Sequence, residues 1–159
     1  MTRVLITGFR DFTDYGLARD ALNAAVQMIG AVDEVTVVHG AAKGADTVLA
    51  GVASGLGFQV EPHPAQWSVH EGCWCHDLSR RCGFAGPRRN AYMLSLGADL
   101  CLGFPLHPEH LPRGADRKNT SRGTWDMLNR AAAAGVPTFY VWIDDNGGRV
   151  LRRHETRNS

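Results

Sequence analysis

The chain has 159 residues, 44% of them hydrophobic and 21% charged, a balance that fits one globular domain and excludes a disordered chain. A formal net charge of +1 excludes a global field built for nucleic acid or a membrane surface. No run approaches the roughly 18 consecutive apolar residues of a membrane span, and the opening MTRVLITGF enters an apolar strand without leader character.

Apolar runs then alternate with segments of helical period. Val4-Leu5-Ile6 reads as a buried first strand, followed by a helix from Tyr15 to Ile29 with Ala18, Leu22, Ala25, Val26 and Ile29 on one face. Val35 to Val38 is a second strand, and a helix from Gly44 to Leu56 carries Ala45, Val48, Leu49, Val52 and Leu56 on one stripe. Phe58 to Glu61 is a third strand, closed by Pro62 and Pro64. Residues 65 to 86 break this rhythm with Cys, Arg and Gly; a helix from Pro87 to Leu96 follows, with Pro at a first-turn position. Leu100 to Phe104 is a fourth strand, Pro105 to Ser121 a polar loop, Arg122 to Ala134 a helix and Thr138 to Ile143 the last strand. The pattern predicts an α/β fold: a single Rossmann-like three-layer domain, residues 1–145, with a mainly parallel five-stranded sheet and a frayed polar tail at 146–159. Right-handed crossovers put every strand-to-helix loop at one edge of such a sheet.

Four of those loops carry candidate ligand-binding residues. After the first strand, Gly8 lets the backbone turn tightly and Arg10 adds a positive charge, although the three-glycine dinucleotide fingerprint is absent. After the second, Gly40, Lys43 and Gly44 stand where a helix begins, a place that favours an anion but lacks the Walker A spacing. Asp46 there either caps the helix or accepts a hydrogen bond from a sugar hydroxyl. Ser121, Arg122, Gly123 and Thr124 crowd the start of the last helix; a Ser cap explains Ser121, but Gly in a first turn suits backbone approaching a ligand. Arg88, Arg89 and Asn90 open the third helix, as a phosphate clamp or as solvated charge. From Arg80 to Arg122 the basic residues (80, 81, 88, 89, 113, 117, 118, 122) outnumber Asp99, Glu109 and Asp116, so this stretch faces either solvent or an anion.

In order, GFRDFTDY at 8–15, VVHGAAKGAD at 37–46, HPAQW at 63–67, AGPRRNAYM at 85–93, ADLCLGFP at 98–105 and SRGTWDML at 121–128 resemble the YspA/YpsA-related branch of the SLOG superfamily. That group also holds the Lonely Guy phosphoribohydrolases and DNA-processing protein A. The resemblance spans residues 4 to 142 and implies a Rossmann-like sheet that binds nucleotides or nucleotide-derived ligands. In the phosphoribohydrolase relatives a Gly-Gly-x-Gly-Thr-x-x-Glu loop holds phosphate and supplies the acid, assisted by an Arg before a helix. Gly123-Thr124 match the Gly-Thr and Arg89 the Arg, but the acid's position is Met127, with Asp126 one residue early and turned by about 100° on a helix.

Relative to that family the chain inserts a Cys-rich segment near 71–83. Cys73, Cys75, His76 and Cys82 make a candidate structural zinc set, with His70 as the alternative fourth ligand and reduced, unliganded thiols as the other reading. His107-Pro108-Glu109 matches only half of a zinc-deaminase signature, which is rejected. With Cys101 alone in an apolar run, the thiols do not form a secreted disulfide framework, and a cytoplasmic protein is expected.

These features lead to a nucleotide sensor or processing domain, with no redox cofactor, no membrane contact and homo-oligomerisation left open. The alternative is an N-glycosidic hydrolase of nucleoside 5′-monophosphates, with Asp46, Asp126 and Arg89 as candidate catalytic residues and Asp11 as a further acid. Single-stranded DNA binding ranks third, because few aromatics accompany the arginines.

Overall fold

The computed structural model describes residues 1–30, 33–106, 121–143, 146 and 148–156. Six strands and four helices follow one another as β1 (Thr2–Gly8), α1 (Tyr15–Met28), β2 (Val35–His39), α2 (Ala45–Gly55), β3 (Gln59–Pro62), α3 (Ala85–Ser95), β4 (Leu100–Phe104), α4 (Arg122–Ala133), β5 (Thr138–Ile143) and β6 (Arg149–Arg153). The sheet order is β3-β2-β1-β4-β5-β6. Its first five strands run parallel, with Val4 opposite Val37 on one side and Leu100 on the other, and β6 closes one edge antiparallel to β5. The expected α/β class and parallel sheet stand.

The sixth strand corrects the expected frayed tail. Val150 and Leu151 face Trp142 and Val141 across the β5 ladder, and Leu151 packs on the core. Without it β5 would expose its N–H and C=O groups along an open edge.

β1 and β4 are buried on both sides because their side chains alternate between two cores. Val4, Ile6, Leu100, Leu102 and Phe104 meet Leu22 of α1 and Leu49 of α2, while Leu5 and Cys101 meet Met93 of α3 with Met127 and Leu128 of α4. Fully burying a side chain such as Leu22 stabilises the fold by about 2 kcal/mol. Asp14 starts α1 by accepting the Leu17 N–H at 2.9 Å. Gly8 ends β1 where a Cβ would overlap that of Ala45, so its missing side chain lets the start of α2 close on the sheet.

Candidate functional site

The strand order reverses between β1 and β4, since the chain winds outward through β2 and β3 on one side and through β5 on the other. At the carboxyl ends of these two strands the loops diverge, and such a switch point is where open α/β sheets take ligands. A cleft of about 630 Å³ lies there.

Its walls come from four places. The β1 loop gives Gly8, Phe9, Arg10 and Asp11; the start of α2 gives Asp46; the first turns of α3 give Arg89 and Asn90; α4 gives Ser121 to Thr124 and Asp126. Of the expected ligand residues, Gly8, Arg10, Asn90, Ser121, Arg122, Gly123 and Thr124 therefore meet in one cavity, as do Asp46, Asp126 and Arg89. Phe9, Asp11 and Trp67 complete it. Phe9 and Trp67 lie in the GFRDFTDY and HPAQW motifs, which by themselves assign them no role. Their only signal is an aromatic beside a Gly- or Pro-containing turn.

The start of α4 is built to leave donors open. Ser121 holds a left-handed backbone (φ 59°) and does not cap the helix; its Oγ instead accepts the Leu106 N–H at 2.7 Å. The N–H groups of the first turn thus lack a side-chain cap, and the helix dipole adds partial positive charge at the cleft. Gly123 has open space where a Cβ would stand.

Lys43, Gly40 and Gly44 are corrections to the expected phosphate loop, because none of them lines the cleft. The Ala45 N–H donates to the Phe9 carbonyl at 3.2 Å, and a Cβ on Gly44 (φ +86°) would strike the backbone of Arg10. This loop is spent on bracing the β1 loop. Gly40 lies against the Arg89 guanidinium, which donates to its carbonyl and to that of His63 at 3.2 Å. Lys43 points to solvent. His39 accepts the Ala41 N–H on Nδ1 at 3.0 Å, and burial lowers its affinity for a proton.

Arg88 is a further correction. It turns from the cleft and donates to the carbonyls of Glu71 and Val69, tying the Cys-rich segment to α3. Arg89 is half inside: burial lowers its pKa, with Asp46 opposing, and its Nε donates to Asn90 Oδ1 at 3.0 Å.

The carboxylates are also engaged. Asp46, 4% exposed, accepts the backbone N–H of Gly40 at 3.0 Å and of Ala42 at 3.3 Å on the same oxygen. Burial pushes its carboxyl up to about 6, against the pull of those N–H groups and Arg89. Asp126 Oδ2 accepts from Asn90 Nδ2 and Arg130 Nε, each at 2.9 Å. Met127 is fully buried under the sheet beside Leu5 and Met93, so the position matched to the relatives' acid faces the core and not the cavity.

Outside the cleft, His70, Cys73, Cys75 and Cys82 bring their ligand atoms within 4.8 Å of one another and could hold a metal ion. His70 takes the fourth place, and His76 is exposed outside the group. The Cys73 thiol is drawn down to about 7, first by the Cys75 backbone N–H and then by His70. Cys101 stands apart in the core, where burial pushes its thiol up to about 12. His107 and Glu109, with Arg113, Arg117 and Lys118, lie outside the described residues.

A parallel sheet between two helix pairs, with its cleft at the switch point, defines a Rossmann-like α/β protein. The chain belongs to the YspA, cpYpsA-related SLOG family, whose profile matches residues 2–70. Gene 61 protein of Mycobacterium phage D29 is 36% identical over 144 residues, which span 87% of this chain and 95% of that protein. Among solved structures, the structural-genomics target TM1055 aligns with a TM-score of 0.54 at 18% identity, covering 93% of this chain and 77% of that one, and shares the fold. An NADH-dependent reductase, A1-R′, responsible for alginate metabolism, aligns with a TM-score of 0.36 at 14% identity over 86% of this chain and 55% of its own. No helix among the described residues is long and apolar enough to cross a membrane.

Proposed function

We propose that this protein binds a nucleotide or nucleotide-derived ligand, with the phosphate at the start of α4 and the base between Phe9 and Trp67. The observation that carries the reading is the uncapped first turn of α4 opening into the switch-point cleft. Arg10 and Arg122 reach the same cavity and supply charge to the phosphate oxygens, while the exposed face of Gly123 lets the backbone approach. Phe9 and Trp67, the latter with the Arg81 guanidinium 4.1 Å from its ring centroid, offer aromatic surface of the kind on which bases stack.

Binding is favoured over hydrolysis because two of the three acids on the cleft wall, Asp46 and Asp126, are already committed, leaving Asp11 as the third. Asp46 holds two backbone N–H groups, and Asp126 holds Asn90 and Arg130. A general base must first be free to take a proton from water. The N-glycosidic hydrolase stays as the second reading on one observation, the presence of Asp11 beside Asp126 on the cleft wall. A sensor or processing role in the cytoplasm and a possible homo-oligomer remain part of the proposal; nucleic acid does not.

Isothermal titration with nucleoside 5′-monophosphates and ADP-ribose tests the reading. Wild type should bind at least one ligand, and Gly123→Val should weaken it at least tenfold with the melting temperature kept, because the new side chain fills open space. Equal affinity in both proteins would refute the site. Robust release of free base from AMP, lost in Asp126→Asn, would make the hydrolase the correct reading.

A further inference from the structure

The segment between β3 and α3 has no helix or strand from His63 to Phe84. It also buries little of its own: Trp74 is 88% exposed and Leu78 66%. A long loop with neither ladder nor core needs another constraint to hold one conformation.

Four side chains converge inside it. His70 Nδ1 stands 3.5 Å from Cys73 Sγ, and Cys75 Sγ stands 3.9 Å from Cys82 Sγ. In a zinc tetrahedron with Zn–S near 2.3 Å and Zn–N near 2.0 Å, the S···N edge is about 3.5 Å and the S···S edge about 3.8 Å. Both separations match edges of that figure. We propose that His70 Nδ1 and the sulfurs of Cys73, Cys75 and Cys82 hold one structural Zn²⁺, which fastens this segment to the first turn of α3.

The surroundings fit an ion at the centre. His70 Nε2 lies 2.8 Å from the Arg80 carbonyl. A carbonyl only accepts, so Nε2 carries the proton and Nδ1 turns its lone pair inward; metal-bound histidines are oriented in this way. On binding, each thiol gives its proton to solvent and its sulfur lone pair to the ion, with no change of oxidation state. Three thiolates and a neutral imidazole around Zn²⁺ leave one net negative charge. The Arg88 guanidinium, 3.7 Å from Cys82 sulfur, faces that charge.

A soft donor set with four protein ligands selects zinc and leaves no open position for substrate, so the ion is structural. Its effect reaches the cleft through the backbone. The Cys82 N–H donates to the Trp67 carbonyl at 2.7 Å, and Trp67 with Gly83 forms part of the cavity wall. This coupling rests on the nucleotide reading; the metal site itself does not.

Elemental analysis of protein purified under reducing, chelator-free conditions should find about one zinc per chain. His70→Ala and Cys82→Ser should lose it, and His76→Ala should keep it. Because the ligand variants could fail to fold, cobalt substitution of the wild type supplies a second measurement. It should give the intense visible bands of a tetrahedral site and a near-ultraviolet thiolate band. Chelation should free three thiols to a thiol reagent and weaken nucleotide binding at least tenfold, reversibly with zinc. Zinc near zero with Cys73, Cys75 and Cys82 reactive, a Cys75–Cys82 disulfide in freshly reduced protein, or zinc lost in His76→Ala but kept in His70→Ala would each overturn the site. One zinc per chain with equal nucleotide affinity before and after chelation would overturn the coupling. One zinc with no affinity for any nucleotide would support the metal site and count against the proposed ligand.

Discussion

Asp46 enters α2 with its carboxyl almost out of reach of water, and its proton affinity follows from that position. The folded protein holds the proton up to about pH 6, whereas an ordinary carboxyl releases it near 3.8. The unfolded chain therefore binds fewer protons than the native one across that window. Stability contributed by the protonated form is present below it, falls as pH rises through it and is level above. Asp46→Asn keeps an acceptor for the Gly40 and Ala42 N–H groups and removes the buried charge. Relative to wild type it should gain stability across that window, on the order of 3 kcal/mol. Urea titrations across the range check this, and a pH-independent difference would count against it. Met127 makes the opposite point. Restoring the relatives' acid as Met127→Glu would bury a carboxylate in the apolar layer under the sheet, where Met127 is 0% exposed. The expected result is a loss of about 4 kcal/mol or more, or failure to fold, with no gain in base release from AMP. A stable, hydrolytic variant would show that this helix face opens to the cleft.

At the scale of elements, the sheet edge carries an ion pair that reaches across a whole strand. Arg3 on β1 clamps Glu61 on β3 with two hydrogen bonds of 2.9 Å, passing over β2, and His63 adds a third contact to the same carboxylate at 2.7 Å. These contacts, Arg3 first, hold the Glu61 carboxyl down to about 2. A depressed pKa contributes stability above the ordinary value of 4.5, and this is lost as pH falls through about 2. The Glu61 side chain is 34% exposed, so solvent screening discounts the pair heavily. Glu61→Gln should cost about 1 kcal/mol at neutral pH and nothing at the acid end of that window. Guanidinium denaturation would be read at both ends, and an equal cost at each would assign the effect to packing. The loops after β1 and β2 divide their work in a way their composition conceals. Each starts beside a single Gly at the strand end and each carries a cation, yet one opens to the cavity and the other braces it.

Over the whole molecule, most of the architecture was legible in the chain. Parallel strands buried on two faces read as short apolar runs, and helices covering them read as stripes of period 3.6. Crossover handedness then places the loops of residues 8–11 and 121–124 at one edge before any coordinates are known. These properties are local, or follow from local ones by chirality, so the sequence by itself determined the α/β class, the ten-residue-scale rhythm of elements and the edge that carries the cleft. The tertiary structure alone decided the rest. Val150 and Leu151 form a strand because β5 presents an open edge, a fact absent from their own arginine-rich surroundings. Arg88 and Arg89 are neighbours in sequence, but one is drawn to the carbonyls of Val69 and Glu71 and the other to those of Gly40 and His63. His70 displaces His76 from the thiol cluster because the Arg80 carbonyl orients its ring inward, whereas adjacent Cys75 and His76 do not converge on one point. Each choice depends on a partner distant in the chain, and residue propensity carries no information about which partner will arrive.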